Sequence, residues 1–76
     1  MRFIEMTGKT LKQLISDDEL HVDDLGSAGV EDDTIVRINR QGDIEVRRTE
    51  RWDVIGGLLG NYEQRIKHQT GLDWAE

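Results

Sequence analysis

The segment Thr34–Arg48, TIVRINRQGDIEVRR, constrains this chain more than any other, because its two strands and its turn agree with one another. Val36 and Ile38 alternate with Arg37 and Asn39, and Ile44 and Val46 alternate with Asp43, Glu45 and Arg47. A period of two gives each strand one apolar and one polar face. Asn39 at the start of the turn and Gly42 at its end suit a type I turn, with Gly42 in the left-handed conformation of a three-residue loop. Closing the loop at Asn39 and Asp43 sets Val36 opposite Val46, Ile38 opposite Ile44 and Arg37 opposite Glu45. A two-residue loop would place Ile38 against Glu45, so the side chains select the longer turn. The chain therefore contains a sheet, and one face of its hairpin is charged.

That sheet needs a core, and the chain has little to build one from. It has 76 residues, 36% of them hydrophobic, and four aromatics: Phe3, Trp52, Tyr62 and Trp74. A domain of this size buries roughly 60% of its unfolded surface and gains support from disulfides, a metal or a second copy. There is no cysteine, which removes disulfides, thiolate metal sites and cysteine nucleophiles. Oligomerisation is the support expected. Met1–Met6 has one basic residue and no apolar run, and no stretch approaches the roughly 20 residues of a membrane span. The expected location is cytoplasmic, with no membrane partner.

Charge narrows the partners. Residues 1–35 hold nine acids and three bases, a net of −6, while residues 36–76 hold seven of each. Five of those bases lie between Arg37 and Arg51. A net acidic chain repels nucleic acid at long range, so nucleic acid is an unlikely partner and protein recognition or self-association the better fit.

Along the chain, Arg2–Met6 reads as a first strand. Thr10 and Gln13 form a capping box, and Leu11, Leu14 and Ile15 follow at helical spacing. Ser16 and Glu19 repeat the capping pattern, which predicts a second short helix within Asp17–Leu25, with Leu20 and Leu25 packing inward. Gly26, Gly29 and Glu31–Asp33 lead as a loop into the hairpin. Thr49 is a candidate cap for a last helix in which Trp52, Ile55, Leu59, Tyr62 and Ile66 fall at steps of three and four. Thr70-Gly71 reads as a left-handed stop, with Leu72 folding back on Ile66. The order is β-α-β-β-α: a single α+β domain over residues 1–72, a three-stranded sheet with the C-terminal helix packed on it, and a short tail over 73–76. An alternative start is a hairpin turning at Thr7-Gly8. TGKT at Thr7–Thr10 resembles the corresponding turn of the ubiquitin family and implies a β-grasp-like fold, although this chain ends in Trp-Ala-Glu where that family has its conjugating Gly-Gly.

No motif carries chemistry. Gly8-Lys9-Thr10 has the end of a phosphate loop, but the glycine required five positions earlier is Phe3. The run Asp17-Asp18-Glu19-Leu20-His21-Val22-Asp23-Asp24 lacks the alternating oxygen ligands and enforced turn of a calcium loop, and reads as a solvated helix face. Ser16 and Ser27 have no neighbouring histidine, and His68 suits a helix C-terminus. We expect no catalytic residues, no metal and no cofactor.

Two features remain. Gly56, Gly57 and Gly60 stand inside the last helix at up to about 1 kcal/mol each, which predicts close approach of another backbone near Gly56 and Gly60, or a break at Gly56-Gly57. Arg37, Glu45 and Arg47 form a candidate recognition face. The expected function is a non-enzymatic protein-interaction domain, self-associating as a homodimer, with Trp52, Ile55, Leu59 and Tyr62 as its packing stripe and Trp74 as a lesser contact. The competing expectation is a dimeric regulator that sets its hairpin arginines on nucleic-acid phosphates.

Overall fold

The hairpin forms in the register its side chains demand. In the computed structural model, which describes residues 2–75, β2 (Ile35–Ile38) pairs with β3 (Asp43–Arg47) through Val36–Val46, Arg37–Glu45 and Ile38–Ile44. Gly42 has φ +86°, and its amide donates to the Asn39 carbonyl at 3.0 Å. The Asn39 side-chain oxygen accepts the amides of Gln41 and Asp43 at 2.9 and 3.0 Å, so one side chain organises the turn.

Two further strands flank this pair. β1 (Ile4–Thr7) runs antiparallel to β2, and β4 (Trp52–Gly57) antiparallel to β3, giving a four-stranded sheet in the order β1-β2-β3-β4. Three helices complete the chain: α1 (Gly8–Leu14), α2 (Val22–Ser27) and α3 (Tyr62–Thr70). Ile4, Met6, Val36, Ile38, Ile44 and Val46 line one face of the sheet and are buried with Leu11, Leu14, Leu25 and Ile66 from the helices. The protein is thus an α+β domain whose helices share one face of its sheet. Among the described residues no helix is long and apolar enough to cross a membrane.

The expected three strands become four because Trp52–Gly57 is extended. Ile44 pairs with Gly56 but Glu45 pairs with Val54, so Ile55 is an extra residue on β4. The bulge resets the strand's alternation and leaves Trp52 and Ile55 three residues apart, which imitates helical spacing. Leu59 then lies in a loop, and only Tyr62 and Ile66 of the expected stripe belong to a helix. The glycines take other roles. Gly56 lies under Leu20, whose methyl carbon is 3.4 Å from where a Cβ would stand, while Gly60 (φ +65°) has open space beside it. No helix breaks at Gly56-Gly57, because none exists there. Thr49 lies in the exposed β3–β4 turn rather than at a helix start.

The start of the chain also differs from expectation. Thr7, not Thr10, caps α1, its hydroxyl accepting the Thr10 amide at 3.3 Å. Gly8 opens the helix because a Cβ there would stand 2.0 Å from the Glu31 carbonyl oxygen. A helix directly after β1 excludes the β-grasp start. The Ser16–Glu19 pair caps a turn, and α2 begins later, with His21 Nδ1 accepting the Asp23 amide at 3.2 Å.

The last helix stops as its sequence dictates. Gly71 is left-handed (φ 75°), its amide donates to the Lys67 carbonyl at 3.0 Å, and Leu72 packs against the core. Beyond it the chain pairs with β1: the Phe3 amide donates to the Ala75 carbonyl at 2.9 Å and the Ala75 amide to the Phe3 carbonyl at 2.7 Å. Trp74 is half-buried against the core, its indole N–H donating to Glu63 Oε2 at 3.1 Å. The described part of the expected tail is therefore a cap on the β1 edge; Met1 and Glu76 lie outside the described residues.

Candidate functional site

The outer face of the sheet, opposite the helices, is organised around Arg37. Its guanidinium carbon stands 3.6 Å from the Phe3 ring centroid and 3.9 Å from the Trp52 ring centroid, so the cation is stacked between two aromatic faces. Its Nε donates to Glu45 Oε1 at 2.6 Å, and Asn39 Nδ2 donates to Glu45 Oε2 at 2.9 Å. The Arg37 and Glu45 side chains are only 18% and 12% exposed. Burial pushes the Glu45 carboxyl up, but the hydrogen bonds from Arg37 and Asn39 outweigh it and hold it below the usual carboxylate range. This is more than the exposed cross-strand pair of the sequence reading: two strands, the turn and both flanking aromatics meet on one cation.

A concavity of about 300 Å³ opens beside the stack at the β2–β3 turn. Half-buried Phe3, Arg37, Asn39 and Glu45 line it, together with the exposed side chains of Arg2, Arg40 and Gln41. Tyr62 braces the turn from behind. Its hydroxyl donates to the Arg40 carbonyl at 2.9 Å, and its ring approaches within 3.1 Å of where a Gly42 Cβ would stand. Burial raises the Tyr62 hydroxyl pKa above its ordinary value, keeping it a donor.

The other candidates disperse. Arg47 is exposed at the end of β3, opposite the half-buried Trp52. Ile55 packs inward against the core. Val54, on the outer face opposite Glu45, is 57% exposed, and Leu59, in the loop after β4, is 61% exposed. The structure thus brings Arg37, Glu45 and Trp52 together, leaves Val54 and Leu59 on the β4 side, and sets the half-buried Gly56 beneath Leu20.

Sequence reasoning missed the ion pair that ties the loops together. Glu19, its side chain 1% exposed, receives both terminal nitrogens of Arg65, the Leu59 amide, and the amide and hydroxyl of Ser16. Burial alone would raise its pKa, yet the Arg65 fork and the backbone donors lower it to about 2. The Ser16–Glu19 capping pattern marked one end of this contact. Arg65, 46 residues away, carries no local signal of it. Among the described residues no cluster of His, Cys, Asp and Glu could hold a metal ion.

Comparison with protein-family models, with curated protein sequences and with solved structures yields no match.

Proposed function

We propose that this chain is a small non-enzymatic protein-interaction domain that works by self-association through the β4 side of its sheet. One observation carries the reading: the two edges of the sheet are unlike. The Phe3–Ala75 pair bridges the start of the β1 edge, whereas among the described residues β4 pairs with β3 alone, and Val54 stands exposed on it. An uncovered strand edge offers unpaired backbone donors and acceptors to another strand. A second copy, related by a two-fold axis at Val54, sets Val54 against its twin, Asp53 against Ile55 and Arg51 against Gly57, so no like charges meet. A two-fold contact uses the same β4 edge on both copies, so such pairing closes at a dimer. The bulge at Ile55 and the charge of Asp53, which edge strands use to limit pairing, confine the contact to a short stretch.

Arg37 supports protein over nucleic acid as the partner. Its two faces are covered by Phe3 and Trp52, so no base can stack on it, and a net charge of −6 repels an extended polyanion. The test is mass by light scattering on the wild type and on Val54→Lys. Lysine there stands opposite Glu45, which suits the fold, but opposes its own copy across the two-fold axis. The wild type should approach twice the monomer mass with rising concentration, and the variant should remain monomeric. A wild type that stays monomeric into the millimolar range overturns the reading, as does a variant that dimerises equally well.

A further inference from the structure

The concavity beside the Arg37 stack has donors to spare, and its one carboxylate is already engaged. Both Glu45 carboxylate oxygens are taken, one by Arg37 and one by Asn39. The Asn39 carboxamide is also spent, its oxygen on the Gln41 and Asp43 amides and its nitrogen on Asp43 and Glu45. By contrast, among the described residues the Arg40 guanidinium and the Gln41 carboxamide make no hydrogen bond or ion pair, and of the Arg37 nitrogens only Nε is bonded. Leaving Arg2 aside, two guanidinium groups line the space (Arg37 and Arg40) against the carboxylate of Glu45, a balance of +1 on a chain whose net charge is −6.

We infer that this concavity seats a carboxylate side chain of an acidic peptide segment in a partner protein. Arg40 closes on the carboxylate from the turn, the open edge of the Arg37 guanidinium meets it from the floor, and Gln41 donates from the rim. Guanidinium forks match carboxylates with two parallel hydrogen bonds. The fit is pre-organised on the protein side: Phe3 and Trp52 fix the Arg37 plane, Glu45 fixes its rotation, and the Tyr62 hydroxyl holds the backbone of Arg40. The volume of about 300 Å³ accommodates one or two side chains and not a long polymer. A nucleic acid gains less here, because Arg37 already covers a face of each ring that a base would stack on, and the acidic body repels an extended polyanion. This site uses a different surface and a different partner from the β4 contact.

The experiment is a titration of the isotope-labelled protein with an N-acetylated, C-amidated hexaglutamate peptide, followed by nuclear magnetic resonance. Hexaglutamine, inorganic phosphate and oligothymidylate serve as parallel probes. Shifts should concentrate on the side-chain signals of Arg37, Arg40 and Gln41, should vanish with hexaglutamine, and should weaken with added salt. Arg40→Glu, at an exposed side chain that bonds nothing, should keep the native spectrum and lose at least about tenfold in affinity. Three results would each overturn the inference: equal binding by hexaglutamine, binding unchanged in Arg40→Glu, or tighter binding of phosphate or oligothymidylate at the same signals. Light scattering reads mass and this titration reads Arg40 and Gln41, so the two proposals fail separately.

Discussion

At the scale of single residues, Glu19 is the most consequential side chain. Its carboxyl titrates near 4.5 when unperturbed and near 2 in the fold. A lowered folded pKa means that the stabilisation is present above about pH 4.5 and is lost as pH falls towards 2. Screening of a pair set between a surface turn and α3 reduces the full linkage value, leaving roughly 1–3 kcal/mol. Denaturant midpoints measured from pH 6 downwards should therefore fall steeply below pH 4.5 in the wild type. Glu19→Gln should be less stable at neutral pH and much flatter across that window; an identical slope in both proteins would refute the assignment. Gly8 gives a steric prediction. A methyl group there meets the Glu31 carbonyl oxygen at 2.0 Å and Val30 Cγ1 at 2.8 Å, and backbone cannot yield as a flexible side chain does. Gly8→Ala should cost about 2–3 kcal/mol in urea unfolding, whereas Gly26→Ala, with nothing within 4 Å, should be neutral or stabilising.

Among the elements, those legible in the sequence were the ones whose signals are local. The β2–β3 register followed from four apolar positions and from Asn39 and Gly42, all within one turn of chain. The α3 stop followed from Thr70 and Gly71 in the same way. β4 was illegible because its bulge at Ile55 breaks the alternation that announces a strand, and because Tyr62 and Ile66 continue the accidental spacing into a true helix. The clue was chemical: Gly56 and Gly57 together cost a helix about 2 kcal/mol, and a strand beneath Leu20 has a use for a missing side chain. Of the candidate site, Arg37 and Glu45 could be paired from register alone. Their enclosure by Phe3 and Trp52 could not, since it depends on β1 and β4 arriving at opposite edges of the sheet. The hairpin carries its own prediction. Asn39→Ala removes two acceptor bonds and two donor bonds from the turn, and should cost about 1–2 kcal/mol while leaving the cross-strand pairs detectable by nuclear Overhauser effects. A shifted register in the variant would show that the side chains of the strands do not suffice to set it.

Over the whole molecule, one buried cluster joins β1, β2, β3 and all three helices, with the half-buried Ile55 of β4 packed against it, so the described residues share a single core. Loss of the Trp52 fluorescence signal, read in Trp74→Phe, should coincide with loss of far-ultraviolet circular dichroism in urea, with a slope of about 1 kcal/mol per molar. Separate midpoints would mean that the outer face melts independently of the core. The same connectivity explains why a chain with few aromatics holds together: the Glu19–Arg65 pair, the Arg37 stack and the Phe3–Ala75 bridge each fasten segments distant in sequence.

The last of these fastenings has a mechanical consequence. Among the described residues Phe3 and Ala75 are antiparallel neighbours joined by two hydrogen bonds, so tension applied across this pair pulls directly on that bridge. The load opens the two bonds in sequence, as a zipper, and does not shear many at once. Under such a load the Phe3–Ala75 bridge should open before the four-stranded sheet does, leaving the Asp73–Ala75 segment held by the packing of Trp74 and its bond to Glu63.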